Sequence, residues 1–472
     1  MAIIPWGTVF EEYLDPLGIG LEEFRTQVTD GWLFNYVRAL AATGIDATII
    51  LVSTSVRTPL HSVHEPTGCG FVALPAPVGL RTIHAARKLK RAAFHGGPGG
   101  GRGGPGADET GVAEVGGTSP GSASAPRSGP DSTLGSGQAS RSRPRRSIGV
   151  PDAAYRLLLP TRGIESAIVE AGCRGILCQE YEDVRFDASV EVGRRLGIPT
   201  FAIFQGGEPR TVRPDRTRRR AVRDCAGLIV GSRGEAARIR ATYGVEDERV
   251  ARLPNPVHTC GDERAPRAEA RRRLGLHQEA RVVVWHGRIM RWKKGLDILV
   301  DAWRRLGANP DRCQLLLVGW GADGEWLREE IRPELASGSI RWVDRFVRDR
   351  NELCGYLSAA DLYVFPSRQE GFPVAPLEAM SLGLPVIAGG AQGVDEILEV
   401  PERDGGVRVS GEDPAELAGA VRALLEDPQQ SRELGEAARQ RVEEHFSVQA
   451  VGNQLGSWLR ERGFPGAGPK NM

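Results

Sequence analysis

The stretch DLYVFPSRQEGFPVAPLEAMSLGLPVIAGG, residues 361–390, holds two apolar runs with a helical pattern between them. DLYVFPS (361–367) and LPVIAGG (384–390) are short and rich in β-branched and aromatic residues, which is typical of buried strands. The segment PLEAMSLG between them predicts a helix, and Pro376 suits its first turn. A strand, a helix and a second strand in this order form the unit of a parallel α/β sheet.

Short apolar runs alternate with helical patterns along most of the chain, which is typical of parallel sheets. Four runs predict a first sheet: ATIILVS (47–53), GILCQ (175–179), PTFAIF (199–204) and AGLIVGS (226–232). Three more join the two runs above in a second sheet: RVVVWHG (281–287), QLLLVGW (314–320) and SIRWVDRF (339–346). Two such series predict an α/β fold of two doubly wound, Rossmann-like domains. We place these domains at residues 1–264 and 265–446, followed by a last helix and a tail at 447–472.

Residues 95–147 interrupt the first domain with a segment rich in Gly, Ser, Pro and Arg and nearly free of large apolar residues. Such a composition cannot bury enough surface to offset chain entropy, so it predicts a disordered insertion. The basic helical pattern RTIHAARKLKRAAF lies just before it. Two interpretations stay open for this basic region: a solvated linker, or peripheral contact with an anionic membrane.

Length, charge and cysteine content restrict the class of protein. The 472 residues suffice for more than one domain with its own core. With 61 Lys and Arg against 60 Asp and Glu, the net charge predicts no nucleic-acid partner. The seven cysteines match no zinc-site spacing, and we expect reduced thiols. The sequence shows neither a signal peptide nor an apolar run of about 18 residues, so we expect a cytoplasmic protein, at most peripheral at the inner face of the plasma membrane.

Two glutamates, Glu370 and Glu378, flank the loop between the strand at 361–367 and the helix that follows. In a doubly wound sheet, loops at the carboxyl ends of the strands line the ligand crevice. The free amides at the helix N-terminus attract phosphate, and a carboxylate can accept hydrogen bonds from two neighbouring sugar hydroxyls. The arrangement suits a ribose on one glutamate and a hexose on the other, with a diphosphate between them.

A pair of cations follows the strand at 281–287, at the same edge of the sheet. The segment WHGRIMRWKKG (285–295) places Arg288 and Lys294 in a loop that leads into a helix. A nucleoside diphosphate gains negative charge as its bond to a sugar breaks, and two fixed cations can stabilise that charge in place of a metal. Arginine offers a planar fork and lysine a point charge, so their roles differ. We therefore predict a nucleotide-sugar substrate, no separate cofactor and no metal.

Three segments resemble the retaining glycosyltransferases of the GT-B fold, family 4: HGRIMRWKKGLDIL, LLLVGWGADGEWL and SAADLYVFPSRQEGFPVAPLEAMSLGLPVIA. The resemblance covers about residues 280–400 and, more thinly, 175–260, where CAGLIVGS and VARLPNPV are similar to the end of the family's first domain. It implies transfer of a sugar from a UDP- or GDP-sugar to a glycan, lipid-linked or small-molecule acceptor, with retention and without a metal. It also implies that the two domains face a cleft and that the last helix crosses back to the first domain.

The resemblance also implies roles for individual residues. The donor-side set is Arg288, Lys294, Phe346, Val347, Glu370, Gly371, Phe372 and Glu378. In this set the two cations bind the diphosphate, and Glu378 binds the ribose hydroxyls. Glu370 is the catalytic candidate in contact with the transferred sugar, and the amides of the next two residues touch the same sugar. Phe346 and Val347 form a loop against the base.

Several positions depart from the family pattern. Pro373 stands where a glycine is usual, and Pro376 removes a further amide, so fewer backbone donors reach the ligand. The interval between Arg288 and Lys294 is one residue longer than is common, so Lys293 is an alternative cation.

The first domain supplies the candidates for acceptor binding. Gln205 stands where the family often has a histidine, and glutamine cannot act as a general base. If the leaving phosphate takes the acceptor proton, Gln205 need only position groups. The acceptor-side candidates are Gln205, Gly206, Glu180 and Gly31.

Each candidate also has an ordinary structural interpretation, such as helix-dipole stabilisation for Glu378 and packing for Trp285 and Trp320. Two alternatives for the function stay open: a GT-B-type nucleotide-sugar epimerase or phosphorylase, and a non-catalytic sugar-nucleotide-binding protein. An epimerase needs acid and base groups over the sugar, and His286 is the only histidine near the motifs.

Overall fold

Two largely parallel sheets organise the chain in the computed structural model. The structure describes residues 1–29, 31–95, 152–204, 206, 214–260 and 266–465. From residue 96 onward the predicted insertion lies outside the described residues, and so does Gln205.

The first sheet has eight strands in the order β3-β4-β2-β1-β5-β6-β7-β8 in the described part of the chain. They are β1 Ala2–Ile4, β2 Thr48–Ser53, β3 Leu60–Val63, β4 Gly70–Pro75, β5 Ile176–Gln179, β6 Thr200–Ile203, β7 Gly227–Val230 and β8 Val250–Arg252. β1 is central, because Ala2 pairs with Thr48 of β2 on one side and with Ile176 of β5 on the other. β3 runs antiparallel to β4 at one edge, and the other neighbours are parallel.

Both faces of this sheet are covered by helices. Successive residues of a strand point to opposite faces, and here they enter two different hydrophobic cores. Ile3 and Ile49 belong to one core, whereas Ala2 and Ile50 belong to the other. The helices are α1 Glu11–Leu14, α2 Leu21–Gln27, α3 Trp32–Ala41, α4 Val78–His95, α5 Asp152–Leu158, α6 Thr161–Glu170, α7 Val184–Leu196, α8 Arg216–Asp224 and α9 Arg233–Tyr243, with 3₁₀ turns at Asp15–Leu17 and Asp247–Arg249.

The second sheet has six parallel strands in the order β11-β10-β9-β12-β13-β14 among the described residues. They are β9 Arg281–His286, β10 Cys313–Val318, β11 Ile340–Val343, β12 Leu362–Phe365, β13 Val386–Ala388 and β14 Gly406–Arg408. Val282 and Val284 face one core, and Val283 and Trp285 face the other, so this sheet is also covered on both sides.

The helices around and after this sheet are α10 Arg267–Leu274, α11 Leu296–Leu306, α12 Gly324–Glu330, α13 Arg332–Ser337, α14 Arg350–Ser358, α15 Ala375–Ser381, α16 Val394–Ile397, α17 Pro401–Asp404, α18 Pro414–Glu426, α19 Pro428–Arg441 and α20 Val448–Glu461, with a π-helical turn at Val442–Phe446. None of the helices in the described ranges is both long and apolar enough to cross a membrane.

The prediction of two doubly wound α/β domains is confirmed. Every apolar run named above coincides with one of the observed strands, although β10 begins one residue before its run, at Cys313. The structure adds β1, β3, β4, β8 and β14 to that set. Three of these have only three residues, β1, β8 and β14, which is too short for an apolar run to stand out.

The last helix, α20, packs against α3 of the first sheet although it follows the second sheet in the chain. Leu455 and Leu459 of α20 are fully buried in the same core as Ile3. Small residues permit the close approach of the two helices. A Cβ atom added at Gly452 would lie 2.6 Å from the carbonyl oxygen of Ala39, well inside van der Waals contact.

We expect Gly452→Ala to lower the free energy of unfolding by about 1–3 kcal/mol, because the added methyl group overpacks a contact with backbone. Gly419 in α18 is the matched control, since nothing lies within 4 Å of a Cβ atom there. Gly419→Ala is expected to raise stability by about 0.5–1 kcal/mol through helix propensity. Urea denaturation of the two variants checks the contrast, and equal effects would contradict the proposed contact.

Two of the seven cysteines form a disulfide, so the expectation of reduced thiols is wrong for them. Cys260 and Cys354 are bonded, with Cα atoms 6.0 Å apart and a sequence separation of 94. The sequence could not reveal this pair, because only the fold brings the segment after β8 beside α14. The free thiols among the described residues are Cys69, Cys173, Cys178, Cys225 and Cys313.

His64, just after β3, is fully buried beside the core of the first sheet that contains Ile3 and Phe34. Its ring stacks on Phe34 with centroids 4.1 Å apart, and its Nδ1 lies 2.8 Å from the hydroxyl of Thr67. Burial lowers the pKa of His64 from 6.5 to about 4, because the charged ring loses its hydration. The folded state therefore holds His64 neutral at a pH where the unfolded chain already binds a proton.

This shift predicts an acid-sensitive stability. For a group whose folded pKa lies below its unfolded value of 6.5, the contribution is complete above pH 6.5 and is lost as the pH falls towards 4. We expect a loss of about 2–3 kcal/mol over that window from His64. His64→Gln should flatten the pH dependence of urea unfolding there, whereas the exposed control His61→Gln should keep the wild-type slope. Identical slopes in wild type and His64→Gln would contradict the assignment.

Candidate active site

Neighbouring strands of the second sheet bring the two predicted loops together. β9 ends at His286 and β12 at Phe365, and the two strands are paired. The loops that follow them therefore leave the same edge of the sheet side by side. They approach closely at Gly295, where an added Cβ atom would lie 2.0 Å from the carbonyl oxygen of Pro366. Gly295 also has a φ of +63°, so both space and backbone require glycine there.

An ion pair links these two loops. The ammonium of Lys294 lies 2.5 Å from a carboxylate oxygen of Glu370. The two side chains are 19% and 12% exposed, so they are largely shielded but still reachable from solvent. It is Lys294 and not the neighbouring Lys293 that reaches Glu370. The structure thus brings together a cation predicted for the diphosphate and the acid predicted for the transferred sugar.

Glu378 is buried in the first turn of α15, with Pro376 in the same turn. Both of its carboxylate oxygens have protein partners. The Nε2 atom of His286 lies 2.8 Å from one oxygen, and the guanidinium of Arg350 lies 3.2 Å from the other. Because a carboxylate only accepts hydrogen bonds, Nε2 is the protonated nitrogen of this ring.

The side chain of Tyr363 packs beside His286 and Glu378. Tyr363 of β12 is fully buried, and its hydroxyl lies 3.4 Å from the carbonyl oxygen of His286. Burial, reinforced by the nearby Glu378 carboxylate, raises the pKa of Tyr363 well above its ordinary value. The phenol therefore stays protonated and donates to the backbone at the end of β9.

A cavity of about 230 Å³ opens beside these residues, at the ends of β9 and β10. Arg288 lines it with an exposed side chain. Phe346 and Val347, predicted to lie against the base, belong to the same lining. The full lining is Tyr13, Leu17, His286, Gly287, Arg288, Val318, Gly319, Trp320, Arg345, Phe346, Val347 and Leu353.

The two predicted packing tryptophans have different surroundings. Trp285 is fully buried in the core of the second sheet that also contains Val283, as expected. Trp320 is 40% exposed and lines the cavity, so its prediction as a packing residue is wrong. Its position after the end of β10 is the sequence signal that could have indicated the crevice.

Gly371 and Phe372 contact the first domain. A Cβ atom added at Gly206 would lie 2.5 Å from the Cα atom of Gly371, so the two glycine backbones are in direct contact. Gly206 also has a φ of +89°. Asn255 donates its side-chain amide to the carbonyl oxygen of Phe372 at 3.3 Å. The crevice between the two sheets is therefore narrow at the point where the donor-side and acceptor-side predictions meet.

The other acceptor-side candidates lie within the first domain. Glu180 is buried directly after β5 and has a φ of +65°, the one positive value found outside glycine in the described residues. A glutamate in this left-handed conformation is strained, and such strain clusters at functional sites. Gly31 precedes α3 with a φ of +124°. It lines a small hollow together with Tyr13, which also lines the larger cavity.

Sequence reasoning did not identify several residues of this site. Tyr13 and Leu17 reach the cavity from the first domain, and Arg350 reaches Glu378 from the start of α14. His286 lies within the segment HGRIMRWKKGLDIL, but nothing in that segment indicates its contact with Glu378. Tyr13, Leu17 and Arg350 lie outside the quoted segments, so only the folded chain brings them to the site.

No cluster of three or more His, Cys, Asp or Glu side chains that could hold a metal ion occurs within the ranges the structure describes. The metal-independent mechanism stays a prediction. It can be tested by measuring the transfer rate in the presence of a metal chelator.

The fold defines the class of protein. Sucrose-phosphate synthase from Thermosynechococcus elongatus superimposes over 98% of both chains, with a TM-score of 0.61 and 20% identity. Anabaena HepE in complex with UDP-glucose matches 65% of this chain and 83% of its own, with a TM-score of 0.53 and 19% identity. Two Rossmann-like domains with facing sheet edges, similar to these proteins, are the GT-B fold.

A family model matches part of the second domain. Residues 280–427 match the model described as glycosyl transferases group 1. D-inositol 3-phosphate glycosyltransferase 1 of Catenulispora acidiphila is 35% identical over 211 residues, which are 43% of this chain and 49% of that protein. The chain thus spans about half the length of the curated relative it matches.

Proposed function

We propose that the protein is a glycosyltransferase that moves a sugar from a UDP- or GDP-sugar to an acceptor hydroxyl, with retention of configuration and without a metal. The observation that carries the proposal is the group of charged side chains at one edge of the second sheet. There the Lys294–Glu370 pair, Glu378 and Arg288 lie on neighbouring loops and a neighbouring helix beside a cavity. The group 1 match over residues 280–427 supports it independently.

The diphosphate is proposed to bind at Arg288 and Lys294. Arg288 is exposed at the cavity, so its fork is available to a phosphate oxygen. Lys294 already faces a carboxylate, which shows that its ammonium can hold an anion at hydrogen-bond distance. As the bond between sugar and phosphate breaks, both cations stabilise the charge that develops on the leaving group.

Donor binding is proposed to rearrange the Lys294–Glu370 pair. The diphosphate carries more charge than a carboxylate and competes for the ammonium of Lys294. Glu370 then turns its oxygens to the hydroxyls of the transferred sugar, where each can accept hydrogen bonds. In the donor-free protein the pair holds Glu370 near its proposed working position.

The nucleoside is proposed to lie between Glu378 and the cavity. The ribose hydroxyls donate to Glu378, and the base enters the cavity beside Phe346 and Val347. Anabaena HepE, which shares the fold, binds UDP-glucose, and this favours a uridine donor. The acceptor approaches from the first domain, where Gly206 contacts Gly371 and where Glu180 is strained. A narrow crevice excludes water and favours transfer over hydrolysis.

The proposal is tested by incubating the full-length protein with radiolabelled UDP- and GDP-sugars and a panel of sugar, polyol and lipid acceptors. We expect a glycosylated product with the donor's anomeric configuration, assigned by NMR, and unchanged rates in EDTA. An isomerised nucleotide-sugar formed without acceptor would favour the epimerase alternative. Donor binding by calorimetry with no turnover against any acceptor would favour a non-catalytic binding protein.

A further inference from the structure

Glu378 is held from two sides by side chains that lie far from it in the sequence. His286 at the end of β9 binds one carboxylate oxygen at 2.8 Å, and Arg350 at the start of α14 binds the other at 3.2 Å. All three side chains are buried. Such a carboxylate cannot change its rotamer without breaking a buried hydrogen bond, so its orientation is fixed before any ligand arrives.

The two contacts leave acceptor capacity for a ligand. A carboxylate offers about four lone-pair positions on its two oxygens. Among the described residues each oxygen of Glu378 has one protein donor, which leaves one position on each for another donor. Two free positions on adjacent oxygens fit a pair of neighbouring hydroxyls, such as those of a ribose.

The segment that carries Arg350 is also bound to the first domain. The backbone N–H of Arg350 donates to the hydroxyl of Thr29 at 3.1 Å, and the same hydroxyl lies 3.5 Å from the carbonyl oxygen of Arg348. The side chain of Arg348 pairs with Glu23 of α2. One short segment therefore joins the first domain, through Thr29, to the carboxylate of Glu378 in the second.

We propose that His286 and Arg350 are positioning residues that hold Glu378 for the ribose hydroxyls of the donor, and that Thr29 connects this support to the first domain. The inference rests on the proposed function, because it assigns the ribose to Glu378. In this arrangement, nucleotide affinity depends on contact between the domains: without the Thr29 hydrogen bonds to the Arg348–Arg350 segment, Arg350 holds Glu378 less firmly.

The test compares two probes, UDP and dideoxyuridine diphosphate, which lacks both ribose hydroxyls, with the corresponding guanosine pair in parallel. Calorimetry on the full-length protein measures both affinities. Wild type and Glu378→Gln give the two limits of the preference for UDP over the dideoxy probe. We expect wild type to bind UDP at least about tenfold more tightly than the dideoxy probe, since hydrogen bonds to a charged group are strong. His286→Phe and Arg350→Met are expected to lose about tenfold in UDP affinity and less than about twofold in affinity for the dideoxy probe.

Further variants separate positioning from structural damage. His286→Gln and Arg350→Lys keep a donor and should recover part of the preference for UDP. Thr29→Val removes the link but leaves the buried pair intact, and we expect a loss of about threefold for UDP alone. Thr26→Val is the matched control and should behave as wild type, because that hydroxyl donates within α2, to the carbonyl oxygen of Glu22 at 2.9 Å. In turnover assays the positioning variants should raise the KM for donor more than they lower kcat.

The outcomes are distinguishable. If wild type binds neither UDP nor GDP, the proposed function fails. If wild type prefers UDP and Glu378→Gln abolishes that preference, but His286→Gln, Arg350→Lys and Thr29→Val all keep it in full, the positioning inference is overturned and the proposed function stands. An equal loss for both probes in every variant also overturns it, because damage to the fold does not discriminate between them. Melting temperatures identify any His286 or Arg350 variant that fails to fold. In that case the UDP preference of Thr29→Val decides whether the positioning inference holds.

Discussion

Lys294→Ala is expected to lower kcat/KM for the nucleotide-sugar by about 10²–10³-fold, because one preorganised contact to developing charge is worth about 3–4 kcal/mol. The ammonium is carried by a loop whose backbone is fixed by Gly295 against Pro366, so the loop need not move to present it. Affinity for UDP should fall as well, since the cation meets the ground-state diphosphate. The measurements are steady-state kinetics and calorimetry with UDP.

Lys293→Ala is the matched control for this prediction. The two lysines are adjacent and both partly exposed, but the contact to Glu370 comes from Lys294. The control variant should retain activity within about twofold of wild type, as surface substitutions usually do. Lys294→Arg, which keeps the charge but not the shape, should retain more activity than Lys294→Ala. Equal losses in the Lys293 and Lys294 variants would contradict the assignment.

Glu370→Gln is expected to lower kcat by about 10²-fold or more, because the amide keeps the shape of the side chain but loses the charge that is proposed to face the sugar in the transition state. Its effect on UDP binding should have the opposite sign. Removing the carboxylate releases Lys294 from the ion pair of 2.5 Å, so UDP should bind as tightly as in wild type or more tightly. This combination separates a group that contacts the sugar from one that contacts the diphosphate.

Glu412→Gln provides the control for an acid near the same loop. Glu412 pairs with Arg368, two residues before Glu370, and its side chain is 68% exposed. An exposed pair of this kind contributes little to stability, and we expect wild-type kinetics. If Glu370→Gln weakened UDP binding and left kcat unchanged, Glu370 would be a diphosphate-side residue and the proposed division of roles would be wrong.

The sequence predicts the sheets well because their signal is local. Runs such as RVVVWHG and DLYVFPS are apolar on both faces of the strand, and this is the pattern of a parallel sheet covered on both sides. The positions of Lys294 and Glu370 follow from the same pattern, since loops after paired parallel strands leave the same edge. The short strands β1, β8 and β14 could not be predicted in this way, because three residues are too few to show an apolar pattern.

The amino-acid sequence by itself determined the two-domain α/β architecture and the loops that hold the charged residues, because alternation, turn residues and helix starts are encoded within short windows of chain. Only the tertiary structure decided the partners: His286 and Arg350 on Glu378, Cys260 with Cys354, Thr29 on the segment before α14, and α20 on α3. These contacts join residues far apart in the chain. Which of them meet is set by the packing of whole elements, and no local pattern records it.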